Sequence, residues 1–222
     1  MSPHAPLDTF MQRSAAWLNM HLADHCLTRA IYNNFFDLGG GMFRSSQPSP
    51  AQLKRYVREH GIRSVVNLRG PNPYGSYPLE VDACQRLGIE LYDSPIFSRR
   101  APRLAEVESL KHVFGTLTYP ALLHCKAGAD RAGIASALYR ILHLGHEPEA
   151  ALQELSWKYG HFRQAKTGIL DFFLLTYIQR NQRSPIALMD WMRSEYDYQA
   201  LEAKFQTEGW ANLVVDKVLN RE

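Results

Sequence analysis

Apolar positions recur at helical spacing over residues 7–22, where Leu7, Phe10, Met11, Trp17, Leu18 and Leu22 fall on one face. The next stretch reads as a connector ending in Gly39-Gly40-Gly41. A short strand, Met42 to Arg44, follows it and leads into the turn Ser46-Gln47-Pro48-Ser49-Pro50. A helix over about 51–60 stops at Gly61, since glycine accepts the left-handed conformation that ends helices. Ile62 to Leu68 is an apolar run of strand length, followed by a loop from Arg69 to Tyr77 rich in proline and glycine. A helix over about 78–87 ends at Gly88, and a strand spans Ile89 to Tyr92.

Past a loop holding Pro95 and Pro102 come a helix over about 103–117, a strand from Ala121 to His124 and a helix over about 131–144. Only helical patterns remain: about 148–159, 168–180, 186–195 and 197–206, with a weaker one at the end. Strands alternating with helices, then helices alone, predict an α/β fold: a central, mostly parallel sheet flanked by helices, with a C-terminal helical layer. The chain divides into an N-terminal helical arm (1–38), a central domain (39–182) and a C-terminal helical extension (183–222). Active sites in such sheets gather at the carboxyl ends of the strands.

Composition narrows the function classes. With 222 residues, 45% hydrophobic and 21% charged, the chain can build an ordinary core without metal or disulfides. The net charge of +3 is too small to argue for nucleic acid on its own, and no nucleic-acid partner is expected. Three scattered cysteines, Cys26, Cys84 and Cys125, suggest a reducing compartment. Asp8 and Arg13 interrupt what would be the apolar stretch of a signal peptide, and no run reaches the ~20 apolar residues of a membrane span. A cytoplasmic protein is expected. The N-terminal stripe either packs on the domain or makes a peripheral contact with a membrane surface.

The chemistry concentrates in HCKAGADRAG, residues 124–133, between the last strand and the following helix. Cys125 and Arg131 are separated by five intervening residues, and the helix begins at the arginine. In such a loop the backbone N–H groups of Lys126, Ala127, Gly128 and Ala129 can converge into an anion-binding nest. The helix N-terminus adds positive potential to the same place. Arg131 would grip two oxygens of a phosphate in a fork, and the same field favours a thiolate at Cys125, a nucleophile facing phosphorus.

HCKAGADRAG resembles the His-Cys-x5-Arg signature of the cysteine-dependent protein tyrosine and dual-specificity phosphatases, most closely bacterial tyrosine and lipid phosphatases with Lys-x-x-Asp in the loop. The likeness extends through FRSSQPS, VVNLRG and KYGHF, from Phe43 to Phe162. It implies a dual-specificity-phosphatase-like fold and a phosphocysteine intermediate, with no cofactor and no metal. Cys125 would be the nucleophile, Arg131 the phosphate clamp, and His124 would tune the thiolate from behind. The substrates implied are a phosphorylated protein, a phospholipid or an inositol phosphate.

Two departures from the pattern stand out. Ala132 replaces the Ser or Thr that often follows the arginine and helps the cysteine to leave. The loop after the preceding strand, Ser94 to Pro102, lacks the usual acid. Asp93 at its entrance and Asp130 inside the signature are the two candidates for proton donor, and capping of the next helix is the alternative role for Asp130. That loop carries Arg99 and Arg100, with Arg103 beyond, either solvated or forming a basic lid over the pocket. Arg69 could reach the same mouth or salt-bridge elsewhere, and His161 reads as structural. Two rival readings stay open. One is redox or arsenate chemistry with a resolving cysteine; the other is a pseudophosphatase that binds phosphorylated partners without turnover.

Overall fold

Side chains alternate between the two faces of a strand, so register decides which residues meet at the end of the sheet. The computed structural model describes residues 9–22 and 33–208. Its five strands are β1 (Phe36–Gly39), β2 (Met42–Ser46), β3 (Ser64–Asn67), β4 (Glu90–Asp93) and β5 (Ala121–Cys125), in the order β1-β2-β5-β3-β4. β1 is antiparallel to β2, and all other neighbours are parallel, as expected of an α/β fold. The hairpin strand β1 lies where a connector was expected. It has only four residues at the sheet edge, and its turn through Gly39, Gly40 and Gly41 runs entirely at positive φ.

Nine α-helices are described: α1 (Phe10–Leu22), α2 (Pro50–His60), α3 (Ser76–Leu87), α4 (Leu104–Thr116), α5 (Asp130–Leu142), α6 (Pro148–Ala151), α7 (Ile169–Arg183), α8 (Leu188–Ser194) and α9 (Tyr198–Glu208). The SQPSP turn is a helix start. Ser49 caps α2 and forms a reciprocal box with Gln52, while Gly61 closes the helix in the left-handed conformation. Helices α2 and α3 cover one face of the sheet, packing Leu53, Tyr56 and Ala83 on Val65 and Leu122. Helices α4, α5 and α7 cover the other over Val66 and Leu123. Each fully buried aliphatic of this kind contributes ~1.5–3 kcal/mol relative to exposure. The C-terminal layer follows, with Trp191 of α8 against Phe173 and Tyr177 of α7, and Glu202 of α9 accepting from the Ala101 amide at 2.9 Å.

The long helix expected over 148–159 is instead α6 and two 3-10 turns, Leu152–Glu154 and Trp157–Tyr159. At the break Glu154 turns inward to the buried Arg44 and to the partly buried Arg140. Helix α1 meets the domain through a close backbone approach. A Cβ on Gly75 would lie 2.1 Å from the Ala16 carbonyl oxygen, and the Gly75 amide donates to Asn19 Oδ1 at 2.8 Å. Met11 and Leu18, by contrast, are exposed. Leu7, Cys26 and the weak terminal pattern lie outside the described residues. No described helix is long and apolar enough to cross a membrane.

Candidate active site

β5 ends at Cys125, which pairs in register with Ser46 of β2. α5 starts at Asp130, leaving Lys126 to Ala129 as the loop between them. All four carbonyls of that loop are held from the β2 side. The Lys126 oxygen accepts from the Gln47 amide (3.2 Å) and the Ala127 oxygen from Asn34 Nδ2 (3.1 Å). The Gly128 and Ala129 oxygens accept from Arg44 Nη2 (2.8 and 3.3 Å). In a trans peptide the C=O and the following N–H point opposite ways. Four anchored carbonyls therefore turn the amides of residues 127–130 away from β2. One of them, Gly128 N–H, donates to Cys125 Sγ at 3.2 Å.

Gly128 is required there. Its φ is +73°, and a Cβ would come within 2.6 Å of the Ser46 backbone nitrogen. Cys125 is 3% exposed, and Arg131 stands half-buried in the first turn of α5 with no side-chain partner among the described residues. The loop thus brings the sulfur, the Gly128 amide and the helix N-terminus together, with Arg131 carried on the first turn of that helix.

Arg44 is the main support and went unnoticed as such in the sequence. Fully buried, it reaches from β2 with Nη1 to Glu154 Oε2 (2.6 Å) and stacks 3.9 Å from the centre of the Tyr159 ring. Burial lowers its pKa from the ordinary value, against the pull of Glu154. Glu154 Oε1 also forms an ion pair with Arg140, whose Nε lies 2.8 Å away. On the other face, His124 Nε2 lies 2.7 Å from Glu80 Oε1, both side chains being inaccessible. Glu80 takes Gln47 Nε2 at 3.1 Å, and Gln47 Oε1 binds Arg69. Arg69 and Lys126 share the Tyr74 ring, at 5.4 and 5.8 Å, so both cations stand at the loop's side of the sheet end.

The two acid candidates separate clearly. Asp93 registers with Asn67, and Asn67 with His124, so Asp93 shares a sheet face with His124 and not with Cys125. Both its oxygens are taken, by Asn67 Nδ2 (2.8 Å) and by the Tyr77 hydroxyl (2.6 Å), and burial and Asp93 together raise the Tyr77 pKa. Asp130 does not cap α5, because Ala129 holds the capping position. Its Oδ1 lies 2.7 Å from His161 Nδ1, and Oδ2 has no partner among the described residues. His161 Nε2 is 2.5 Å from Asp171 Oδ2. Burial opposes the charge on His161, yet its hydrogen bonds to the two carboxylates push its pKa up to about 9.

Of the three arginines read as either solvated or a basic lid, two are engaged. Arg100 is paired with Glu106 and lies 4.1 Å over the Phe97 ring, while Arg103 stacks on Tyr198. Arg99 remains exposed and has no partner among the described residues. Cys84 is buried on the α3 side in a different cluster from Cys125, and its pKa is raised by burial and by Glu80 and Asp93. Ala132 is fully buried, with no room at its surface for solvent.

A family model described as "DSP-PTPase phosphatase fused to NAD+ Kinase" matches residues 38–168, more than half of the chain. The dual specificity protein phosphatase TpbA of Pseudomonas aeruginosa is 27% identical over 126 residues, 55% of this chain and 53% of TpbA. The chain therefore spans about half the length of the curated relatives it matches. The crystal structure of P. aeruginosa TpbA in complex with phosphotyrosine aligns with a TM-score of 0.50, at 16% identity, over 78% of this chain and 91% of that one. The catalytic core of the PP-IP phosphatase SIW14 from S. cerevisiae aligns with a TM-score of 0.51, at 20% identity, over 68% and 92%. At these identities the structural likeness speaks for the fold.

Proposed function

The chain belongs to this DSP-PTPase phosphatase family, and from that premise we propose that it hydrolyses phosphate monoesters through a phosphocysteine at Cys125. The observation that carries the reading is the set of four anchored carbonyls, which turns the loop amides the opposite way, with that of Gly128 on Cys125 Sγ. The amides and Arg131 hold the three non-bridging oxygens and offset the charge that develops on them. The thiolate attacks phosphorus, an S–P bond forms, and the P–O bond to the leaving group breaks with its electron pair on oxygen. Asp130 Oδ2 supplies the proton to that oxygen. Water then attacks phosphorus, its proton returns to the Asp130 carboxylate, and the S–P electron pair goes back to sulfur.

Phosphotyrosine in a protein is the favoured substrate class. TpbA is a dual specificity protein phosphatase solved with phosphotyrosine, and the mouth here offers the Tyr74 ring beside Arg69 and Lys126. The engagement of Arg100 and Arg103 weakens the case for a lid built for several phosphates. In a panel of phosphotyrosyl and phosphoseryl peptides, phosphoinositides and inositol phosphates, the phosphotyrosyl peptide should have the highest kcat/KM. Chelators should leave it unchanged, because the loop amides and Arg131 provide the positive charge. A higher kcat/KM on an inositol phosphate would overturn the substrate class, and loss of activity with chelator would overturn the mechanism.

The donor is tested through leaving-group chemistry. Asp130→Asn should lower turnover of an alkyl phosphate by ~100-fold, at the lower end of general-acid effects. It should cost an activated nitrophenyl ester much less and remove the basic limb of the kcat profile. Asp93→Asn should do neither, since that carboxylate is already engaged on the α3 face. A reversed pair of results would move the role to Asp93.

A further inference from the structure

His161 stands on a tight turn, with Gly160 at φ +77° returning the chain so that the imidazole faces the start of α5. Its side chain is 1% exposed, and Asp171, on the first turn of α7, is inaccessible. The charged groups facing it are Asp130 from α5 and Asp171 from α7. Arg163 lies behind Asp171, with Nε 3.8 Å from Oδ1. The three side chains form a line from the core to the loop, Asp171–His161–Asp130, ending at an Oδ2 that has no partner among the described residues.

We propose that His161, oriented by Asp171, is the positioning residue of the proton donor, holding Asp130 by Oδ1 and setting the pH range in which it works. This rests on the assignment of the donor role to Asp130. The ring does not touch substrate. It fixes the carboxyl plane through Nδ1–H, so that Oδ2 faces outward, and Asp171 fixes the ring in turn. When Oδ2 gives up its proton, the carboxylate that forms accepts the Nδ1–H of an imidazolium, and the reverse holds when water returns the proton. The raised pKa of His161 keeps that cation present through neutral pH. A buried histidine serving only to hold the fold would need one acceptor; here both nitrogens meet carboxylates, one of them in the signature loop.

The test is the kcat profile of His161→Gln on an alkyl phosphate and on an activated nitrophenyl phosphate, beside Asp130→Asn. Removing a cation next to a carboxyl favours its protonated form, so the basic limb should move to higher pH by about one unit. Looser orientation should cost ~10-fold in kcat on the alkyl ester and little on the activated one, with KM within about twofold. If Asp130→Asn behaves as expected while His161→Gln loses both esters equally with its basic limb unmoved, His161 is structural and the proposal fails alone. If Asp130→Asn shows no leaving-group dependence, the donor assignment fails and takes the proposal with it. Should His161→Gln fail to fold, nitrogen NMR of the wild-type ring decides. Both nitrogens protonated at pH 7.5 is the expected result, and one bare nitrogen there overturns the proposal.

Discussion

Replacing Cys125 with serine lowers steady hydrolysis of an aryl phosphate by at least ~10⁴-fold, the scale of losing a nucleophile outright. Serine differs from cysteine by one atom at a site that is 3% exposed, and its hydroxyl can still accept from the Gly128 amide. The fold and the loop therefore persist. What disappears is the sulfur nucleophile, because a serine hydroxyl is a far weaker nucleophile towards phosphorus than a cysteine sulfur. Phosphate binding should stay within a few-fold of wild type by calorimetry while turnover vanishes. Substantial residual turnover in the serine variant would sink the phosphocysteine mechanism, because Sγ is the only atom assigned to attack.

Arg44→Met should cost ~3–5 kcal/mol of stability, as expected when one partner of a buried ion pair is removed. Methionine follows the apolar part of the arginine stem, but Glu154 is left with Arg140 alone, and the Gly128 and Ala129 oxygens lose their common donor. Urea unfolding measures the first effect. The double variant Arg44→Met/Glu154→Gln separates the two, since it removes the stranded charge without restoring the donor. It should regain much of the stability and none of the lost kcat/KM, assayed well below its unfolding transition. Equal recovery of both would mean that Arg44 matters only as the partner of Glu154, and that the loop keeps its shape unaided.

Arg44 also marks where the sequence stopped being legible. The signature loop could be read because its chemistry is local: Cys125 and Arg131 are brought together by five residues and a helix start. The strands at Val65–Val66 and Leu122–Leu123 showed as apolar runs because both faces of the sheet are covered. Arg44 looked like a polar residue in a short strand, whereas its function depends on Glu154, 110 residues away. His161 and Asp171 lie 31 and 41 positions beyond Asp130, and no periodicity relates them. β1 was missed because an edge strand of four residues, with Asp37 exposed and a glycine turn, has too little apolar pattern to register. The helix expected over 148–159 had adequate spacing, and it breaks where Glu154 turns inward to Arg44, a contact that spacing does not show.

Ordering a residue's backbone costs ~1–2 kcal/mol of conformational entropy, so shaping a four-residue loop around an anion would consume several kcal/mol of the anion's affinity. In this protein Gln47, Asn34 and Arg44 impose that shape, and the entropy is lost when the chain folds. The contacts an oxyanion makes are then available for binding and for the transition state. A rigid template also sorts its guests by geometry: on the proposed reading, a tetrahedral oxyanion offers three oxygens to the loop and a planar carboxylate only two.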